Sequence, residues 1–257
     1  MVLTIDIGNT NIVAACFDND ILVFNERFST EPEETCLEYA TIFKTSLDIN
    51  GISPSLIEGG IICSVVPSVT NIVREAVEKL TGVTFMVAAP GVKTGLKMKV
   101  KDIAQQGTDL VVAAVAGINL YAVPQIIVDM GTATTVSVID KEKAYIGKMI
   151  LPGVALSLEA LSEHAAQLPQ ISLEPPKRLI GSSTVDSMKS GIIYGSAGSV
   201  DGLIDRIEEE MGEKCTVIAT GGLAGTIIPH CRHGIVLDES LMMKGLLIMY
   251  HKNRRNV

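Results

Sequence analysis

One short pattern occurs twice in the sequence, about half a chain apart. The stretch "TIDIGNTNIVAACFD" places Asp6 at the end of an apolar run, and "IVDMGTATTVSVID" places Asp129 in the same position. In each copy the aspartate is followed by a glycine turn, hydroxyl or amide side chains and a second apolar run. Similarity at such a separation indicates an internal duplication. We therefore predict two similar α/β lobes, 1–118 and 119–257, with a ligand cleft between them.

The segments around the two hairpins follow the same order in both halves. In the first half, "VLTIDI", "IVAACF" and "ILVFNERF" are joined by short turns and predict a meander of three strands. A helix over 32–50 follows, where Thr30 and Glu33 have capping-box spacing and Pro32 lies in the first turn. In the second half, "QIIVDM", "TTVSVID" and "KAYIGKMI" again predict three strands, and a long helix is expected over 184–212. This repeated order predicts an α/β fold built from two copies of one unit.

Composition excludes several classes of protein. With 257 residues, 47% of them hydrophobic, the chain is long enough to bury a sizeable core. Its formal net charge of −8 argues against a broad nucleic-acid surface, and no apolar run is long enough for a transmembrane helix. The five cysteines form no CxxC pair, which is typical of a reducing compartment, and "HCRH" is interpreted as a loop rather than a metal site. The N-terminus has no signal-peptide pattern. We expect a soluble cytoplasmic protein without nucleic-acid or membrane partners.

The first hairpin turn, "DIGNTN", has the residues of an anion site. Gly8 allows a tight turn after the strand, and the N–H groups of such a turn can face a phosphate. Asn9, Thr10 and Asn11 add side-chain donors. Asp6 can hold Mg²⁺ or a metal-bound water against the phosphates. An ordinary polar hairpin turn is the alternative interpretation of this segment alone.

Two further glycine elements favour the phosphate interpretation. "DMGTATT" repeats the aspartate, glycine and hydroxyl pattern, and "ATGGLAG" over 219–225 follows a strand, where its backbone can approach a ligand closely. Each element alone is typical of an ordinary turn, whereas the three together favour a metal–triphosphate site. The sequence contains no GxxxxGK[ST], no GxGxxG that opens a βαβ unit and no GxSxG. It therefore predicts neither a P-loop nor a Rossmann or hydrolase site.

The stretch "QQGTDLVVAAVAG" places one acidic residue, Asp109, at the start of an apolar helix. An acidic side chain there can cap the helix, because it accepts hydrogen bonds from the first N–H groups. It can also act as a general base if the helix aims it at a substrate. The two roles are compatible, since one geometry can both anchor and orient the carboxylate. Apolar residues at helical spacing set the start of this helix: Leu110, Val111, Ala114, Val115 and Ile118.

Six motifs together resemble type III pantothenate kinases: "DIGNT", "GTD", "DMGTATT", "LPG", "SSTVDSMKSGIIYG" and "ATGGLA". The resemblance runs along essentially the whole chain. It implies membership of the acetate and sugar kinase/Hsp70/actin superfamily, an actin-like ATPase fold with two duplicated ribonuclease H-like lobes. It also implies ATP-dependent phosphorylation of pantothenate, the first step towards coenzyme A. The expected protein is a homodimer that needs Mg²⁺ and a monovalent cation, K⁺ or NH₄⁺.

The resemblance assigns roles to matching positions. Asp129 would hold the monovalent cation and Thr132 would contact ATP, while the Mg²⁺ link of Asp6 rests on the turn itself, as argued above. Asp109 would be the catalytic base that accepts the hydroxyl proton during phosphoryl transfer. Thr184 would contact the substrate, reaching it across the dimer interface. The ATP phosphates would lie on Asp6, Ile7, Gly8, Asn9, Thr10, Asn11, Ile12 and Val13, and the substrate pocket would comprise Val100, Gly107, Thr108, Asp109, Leu110 and Thr184.

The chain departs from the family pattern on the substrate side. Leu110 stands where the family has an arginine that helps to hold the substrate, and Val100 stands at a tyrosine position. Positions 102–103 read Asp-Ile instead of Asn-Pro, and 147–148 read Gly-Lys instead of Gly-Gly. Losing a charged donor to a carboxylate typically weakens binding substantially. Four lysines are candidates to compensate, although each is more simply a solvated surface charge: Lys97, Lys99, Lys101 and Lys148.

Three hypotheses follow from this mixture of retained and altered motifs. The chain is a pantothenate kinase with a rebuilt acid-binding patch, a paralogue that phosphorylates another small alcohol, or a nucleotide-binding regulatory protein that kept the fold. The retained Asp109 supports the first two, whereas Leu110 and Val100 suit the second or third. A sugar kinase of the repressor-like group is disfavoured because its cysteine-rich zinc motif is absent from the sequence.

Overall fold

The computed structural model describes residues 1–254, apart from the side chain of Ala104. Short 3-10 turns occur at Pro54–Leu56, Ile103–Gln105 and Ile228–His230. The strands in chain order are β1 (Val2–Ile7), β2 (Asn11–Asp18), β3 (Ile21–Ser29), β4 (Gly59–Ser64), β5 (Phe85–Val87), β6 (Lys97–Met98), β7 (Gln125–Met130), β8 (Ala133–Ile139), β9 (Ala144–Pro152), β10 (Thr216–Thr220) and β11 (Val236–Leu237). The helices are α1 (Cys36–Ile49), α2 (Pro67–Thr81), α3 (Thr108–Leu120), α4 (Val154–His164), α5 (Thr184–Met211), α6 (Ala224–Ile227) and α7 (Leu241–Asn253).

The first sheet has the strand order β3-β2-β1-β4-β5. β2 is antiparallel to β1 and β3, whereas β4 runs parallel to β1 and β5. One face is covered by α1 and α2, with Phe43 and Val73 buried in one apolar cluster. The opposite face carries a separate cluster that includes Val112 and Val115 of α3 and Leu246 of α7. The carboxyl ends of β1 and β4 therefore lie side by side between two helical layers.

The second sheet has the order β11-β10-β7-β8-β9-β6. Its first five strands repeat the order of the first sheet, with β7 antiparallel to β8 and parallel to β10. One face is covered by α4 and α5, which bury Leu158 and Ile193. The predicted fold class, two duplicated α/β lobes, is thereby confirmed. The short strand β6 was not predicted; it pairs with β9 at the sheet edge, in parallel.

Two compact units divide the chain differently from the expected boundary after residue 118. The first unit comprises Met1–Leu96, Asp102–Ala116 and the described residues from Ser240 to Arg254, and the second comprises Lys97–Lys101 and Gly117–Glu239. Helix α7, which the sequence order placed in the second lobe, thus belongs to the first. The reason is packing: α7 lies on β1 and β4, and Gly245 approaches Val112 so closely that any side chain would collide with its carbonyl.

Helix α1 begins later than the sequence pattern predicts. Thr35 and Glu38 form the capping box, with the N–H of Thr35 donated to the Glu38 carboxylate at 2.7 Å. The predicted box of Thr30 and Glu33 was therefore wrong. Thr30 is used elsewhere, because its hydroxyl donates to the carbonyl of Gly8 at 2.7 Å.

Within residues 1–254, no helix is long and apolar enough to cross a membrane. All five cysteines are free thiols. The last three residues of the expected second lobe, 255–257, lie outside the described residues.

Candidate active site

The turn after β1 is a closed polar hairpin that follows Asp6. Gly8 donates its N–H to the carbonyl of Asn11 at 2.9 Å, and Thr30 closes the turn from outside through the Gly8 carbonyl. A side chain on Gly8 would come within 3.1 Å of the Asn11 carbonyl, so glycine suits this position. The tip, 9–10, is exposed. The turn therefore has the tight form that the sequence predicts.

In the segment predicted to bind the ATP phosphates, residues 6–13, some side chains are exposed to solvent and others are buried in the core. Ile7 and Ile12 are 0% exposed, so only their backbone can face a ligand. Val13 is half-buried and is the cross-strand partner of Asp6 on β2. The polar side chains at the exposed tip, 9–10, are those placed to reach a solvent-borne anion.

Asp6, Cys63 and Asp109 converge at the carboxyl end of the first sheet. Asp6 and Cys63 are register partners on the parallel strands β1 and β4, so they project from the same face. The Cys63 thiol is completely buried and hydrogen-bonded to the carboxylate of Asp6. Burial, followed by the negative charges of Asp6 and Asp109, raises the pKa of this thiol well above its ordinary value. The thiol is therefore protonated, and it donates to Asp6.

Asp109 lies in the first turn of α3, one residue after the helix begins at Thr108. The first backbone hydrogen bond of the helix runs from the Val111 N–H to the Gly107 carbonyl at 3.2 Å. Asp109 Oδ1 accepts the N–H of Leu110 at 2.9 Å, one of the N–H groups that a helix start leaves without an intrahelical partner. A side chain on Gly107 would collide with this carboxylate. The carboxylate is thus anchored through one oxygen, while the other takes no part in that bond.

The other predicted substrate positions differ in their surroundings. Leu110 is only 5% exposed, so the position where the family has an arginine supplies a buried apolar side chain here. Val100 is half-buried after β6, and Thr108 is half-buried at the start of α3. Thr184 is exposed at the first residue of α5, where Ser183 caps the helix.

Asp129 has in the second sheet the place that Asp6 has in the first. It pairs with Thr135 on β8 and with Thr220 on β10, so three oxygen-bearing side chains project from one face. Among residues 1–254, the buried Thr135 hydroxyl has no hydrogen-bond partner. Gly221 has φ +96°, and a side chain there would lie 2.6 Å from Asp129 Oδ1. This glycine therefore lets the "ATGGLAG" turn pack directly against the Asp129 carboxylate.

Thr132 lies in the exposed turn between β7 and β8. Gly131 donates its N–H to the carbonyl of Ala133 at 3.1 Å, which closes this turn as Gly8 closes the first. Gly153, which precedes α4, approaches so closely that a side chain would collide with the Thr132 carbonyl. The glycine of the "LPG" motif therefore lets α4 begin against the predicted ATP turn.

Of the lysines that could replace the missing arginine, Lys99 is already paired. Its ammonium lies 2.8 Å from Asp140 and 2.5 Å from Glu142. The lysines two residues before and after it are exposed. Lys148 differs, because it is half-buried on β9 and its ammonium forms no ion pair or hydrogen bond with any residue in 1–254.

One of the two histidines in "HCRH" lies in a polar cluster. The imidazole Nε2 of His233 is 2.9 Å from Asp205 Oδ1, and Glu208 is close to both. Glu208 is already engaged, since it accepts the Lys214 ammonium at 2.6 Å and a backbone N–H at 3.0 Å. The contacts therefore tie the loop to α5.

Two side chains at the strand ends were not predicted from the sequence to have roles of their own. Cys63 was interpreted as one of several small buried residues, and Thr135 as part of a polar turn. Both become significant through cross-strand register, which pairs them with Asp6 and Asp129. For Thr135 a signal existed, because a short hairpin turn sets the antiparallel register. For Cys63, which is distant from Asp6 in the chain, only the pairing of β1 with β4 reveals the contact.

Paired aspartates at equivalent strand ends of two duplicated sheets define an actin-like ATPase or sugar kinase fold. Solved structures agree over almost the whole length. A conserved Baf family protein from Campylobacter jejuni has a TM-score of 0.59 at 18% identity, covering 98% of this chain and 99% of its own. The activator of the 2-hydroxyisocaproyl-CoA dehydratase from Clostridium difficile, with bound ADPNP, has a TM-score of 0.56 at 13% identity, covering 98% and 94%.

Sequence relatives are much more similar. The family model for type III pantothenate kinase matches residues 2–206. A type III pantothenate kinase from Exiguobacterium sp. is 43% identical over 255 residues, covering 99% of this chain and 100% of its own. Another from Bacillus cytotoxicus is 41% identical over 253 residues, covering 98% and 97%. The chain belongs to the type III pantothenate kinase family, as its motifs predict, and is a phosphotransferase that uses ATP.

Proposed function

We propose that the protein phosphorylates pantothenate with ATP to give 4'-phosphopantothenate, the first step of coenzyme A biosynthesis. One observation carries the proposal: the match to type III pantothenate kinases spans the chain and includes the helix start that anchors Asp109. We place the reaction in the cytoplasm, where the five unbonded cysteines would stay reduced.

We assign Asp109 as the general base. A primary hydroxyl becomes a good nucleophile as its proton is removed, and a carboxylate within about 3 Å can accept that proton. The hydrogen bond from the Leu110 N–H holds one oxygen of Asp109 and so orients the other. Much of the remaining acceleration would come from in-line positioning and from neutralising phosphate charge.

An Asp109→Asn variant tests the assignment. The amide keeps the size of the side chain and can still accept from the Leu110 N–H, but it cannot accept the substrate proton. We expect kcat to fall by about 100-fold or more, with the affinity for MgATP and the melting temperature close to wild type. An Asn variant with full turnover would remove Asp109 from the base role.

We assign the Asp6 turn to the ATP phosphates, with the Asp6 carboxylate linked to Mg²⁺. The tight turn at Gly8 presents backbone N–H groups, and the polar tip at 9–10 is exposed. Carboxylate oxygens are ligands that Mg²⁺ prefers, usually together with substrate phosphates. We assign Thr132, in the equivalent turn of the second sheet, to ATP as well.

We assign Asp129 to a monovalent cation, K⁺ or NH₄⁺. The residues fit such an ion, because the carboxylate is flanked by Thr135 and Thr220, and the buried Thr135 hydroxyl has no partner among residues 1–254. A buried hydroxyl without a partner is costly, and a hard cation is satisfied by oxygen ligands. A bound cation would neutralise negative charge at this strand end.

Thr135→Val is the matched test, because valine has nearly the same shape without the hydroxyl. In the absence of K⁺ the variant should be as stable as wild type or more so, since a buried unsatisfied group is removed. Added KCl should raise the melting temperature of wild type more than that of the variant, relative to tetramethylammonium chloride at equal ionic strength. The control is Thr134→Val, a buried threonine one residue earlier on the opposite face. An equal K⁺ effect in all three proteins contradicts the assignment.

A second function remains supported by one observation, the buried apolar Leu110 at the position of the family's arginine. It suits a paralogue that phosphorylates a different small alcohol. A coupled ADP-release assay with pantothenate and related hydroxy acids separates the alternatives. Turnover of pantothenate supports the first function, and turnover of another acceptor without pantothenate supports the second. Nucleotide binding without any turnover indicates a regulatory protein.

We propose a homodimer in which Thr184 contacts the substrate bound by the partner subunit. Helix α5 carries three exposed glycines, Gly191, Gly195 and Gly198, and a side chain on any of them would meet nothing within 4 Å. Packing within the described chain therefore does not require them, whereas a second copy could approach this face closely. Light scattering during size-exclusion chromatography should give twice the monomer mass. Gly195→Leu should shift the protein towards monomer, and a monomeric wild type would contradict the proposal.

A further inference from the structure

We propose that Cys63 is a positioning residue: its thiol holds the Asp6 carboxylate in the orientation required for MgATP. The inference rests on the ATP role assigned to Asp6 above. Cys63 is completely buried, so it acts through Asp6 and does not touch the nucleotide itself.

Cys63 lies where an apolar layer meets two carboxylates. It belongs to the cluster on one face of the first sheet, together with Ile61 on its own strand and Val112 of α3. On the same face, Asp6 is its register partner on β1, and Asp109 lies at the start of α3. A polar hydrogen is thus available to Asp6 from the apolar side, where water cannot supply one.

The cross-strand neighbours of Asp6 differ in what they can offer. Val13 lies on one side and Cys63 on the other. Valine has no polar hydrogen, so of these two register partners only the Cys63 thiol can donate, and it is hydrogen-bonded to Asp6. The second sheet differs, because Asp129 has a threonine on both sides.

The chemistry of sulfur points to a donor rather than a ligand. Mg²⁺ prefers oxygen ligands, and thiolates suit softer metals. By donating to the Asp6 carboxylate from the protein side, Cys63 would fix the orientation in which that carboxylate faces the metal and the phosphates.

Three variants separate positioning from packing. Cys63→Ala removes the donor, whereas Cys63→Ser retains an O–H donor. Cys16→Ala is the matched control, because Cys16 is also completely buried in the first sheet but lies in the cluster on the opposite face, away from both carboxylates. Each variant is tested for its dissociation constant for MgATP by titration calorimetry without pantothenate, for its melting temperature, and for its steady-state kinetics.

Cys63→Ala should bind MgATP about tenfold more weakly, the lower end for a lost hydrogen bond to a charged group. Its KM for MgATP should rise more than its kcat falls. Cys63→Ser should bind within about twofold of wild type because it retains the donor. Cys16→Ala should lower the melting temperature as Cys63→Ala does, with MgATP affinity unchanged.

Three results would overturn the inference, and the first two concern Cys63 itself. MgATP affinity of wild-type strength in Cys63→Ala would show that Asp6 needs no help from the thiol. Equal loss in Cys63→Ser and Cys63→Ala would show that the volume of sulfur matters and its hydrogen does not. Failure to phosphorylate pantothenate would overturn the proposed substrate alone, because the calorimetric comparison contains no pantothenate. Failure of wild type to bind MgATP would overturn the inference together with the role of Asp6.

Discussion

Replacing Gly221 by alanine should damage the second lobe more than one added methyl group suggests. Gly221 has φ +96°, and a left-handed backbone costs an alanine about 1–2 kcal/mol. The new Cβ would also lie 2.6 Å from Asp129 Oδ1 and 2.6 Å from two backbone atoms of Met130, where carbon contacts normally begin at about 3.5 Å. The carboxylate can rotate away, but the Met130 backbone is held in β7. Adding about 1–3 kcal/mol for overpacking, we expect a total loss of about 3 kcal/mol in the free energy of unfolding.

Gly82→Ala is the matched control. Gly82 ends α2 with φ +75°, and a side chain there would meet nothing within 4 Å. The Gly82→Ala variant should therefore lose only the cost of a left-handed backbone for alanine, about 1 kcal/mol of unfolding free energy. Because the chain has no tryptophan, urea unfolding is best followed by far-UV circular dichroism. Equal losses in the two variants would refute the argument that close approach to β7 is what requires glycine at 221. A displaced Asp129 carboxylate should also weaken the stabilisation by K⁺.

Three further substitutions test other contacts. Lys148→Met should raise the KM for pantothenate about tenfold, because the half-buried ammonium would no longer be present to bind the carboxylate of pantothenate. The exposed Lys141→Met is the control and should leave this KM unchanged, and equal KM values in the two variants would show that Lys148 is only a surface charge. Tyr121→Phe should cost about 1.5 kcal/mol of unfolding free energy, since Tyr121 donates to the 6% exposed Asp238 at 2.7 Å. Burial is the larger cause and this hydrogen bond the second, and together they raise the pKa of Tyr121 from 10.0 to about 12. The stabilisation by the hydrogen bond should therefore be full below about pH 10 and lost as the pH rises towards about 12. A Tyr121→Phe variant with the urea unfolding curve of wild type would refute this role of the hydrogen bond. Thr35→Ala removes the capping box of α1 and should cost about 1 kcal/mol, and a wild-type melting temperature would contradict that role.

Local sequence patterns predicted which helices and strands form, but not always the residues at which they begin. Two threonine–glutamate pairs with capping-box spacing occur near the start of α1, and the sequence pattern at Thr30 and Glu33 is as good as the one at Thr35 and Glu38. The choice depended on a distant contact, because Thr30 is needed to close the turn at Gly8. A capping-box pattern can be read from neighbouring residues, whereas the use of the Thr30 hydroxyl by a distant carbonyl is visible only in the tertiary structure.

The sequence by itself determined the duplication, the fold class and the family. Strand period, glycine turns and an aspartate at each strand end are local properties, and they occur in the same order around Asp6 and Asp129. The start of α3 at "GTDL" was predictable for the same reason: the apolar spacing after Asp109 sets the helix start, where the Asp109 carboxylate accepts the N–H of Leu110.

Only the tertiary structure decided which distant segments share a surface. The apolar stripe of α7 shows that the helix must be covered but not by what, and packing on β1 and β4 places it in the first unit. In the same way, the pairing of β1 with β4 brings Cys63 to Asp6. The physical reason is that hydrophobic patterning specifies burial, which is non-directional, whereas strand register and helix docking specify neighbours.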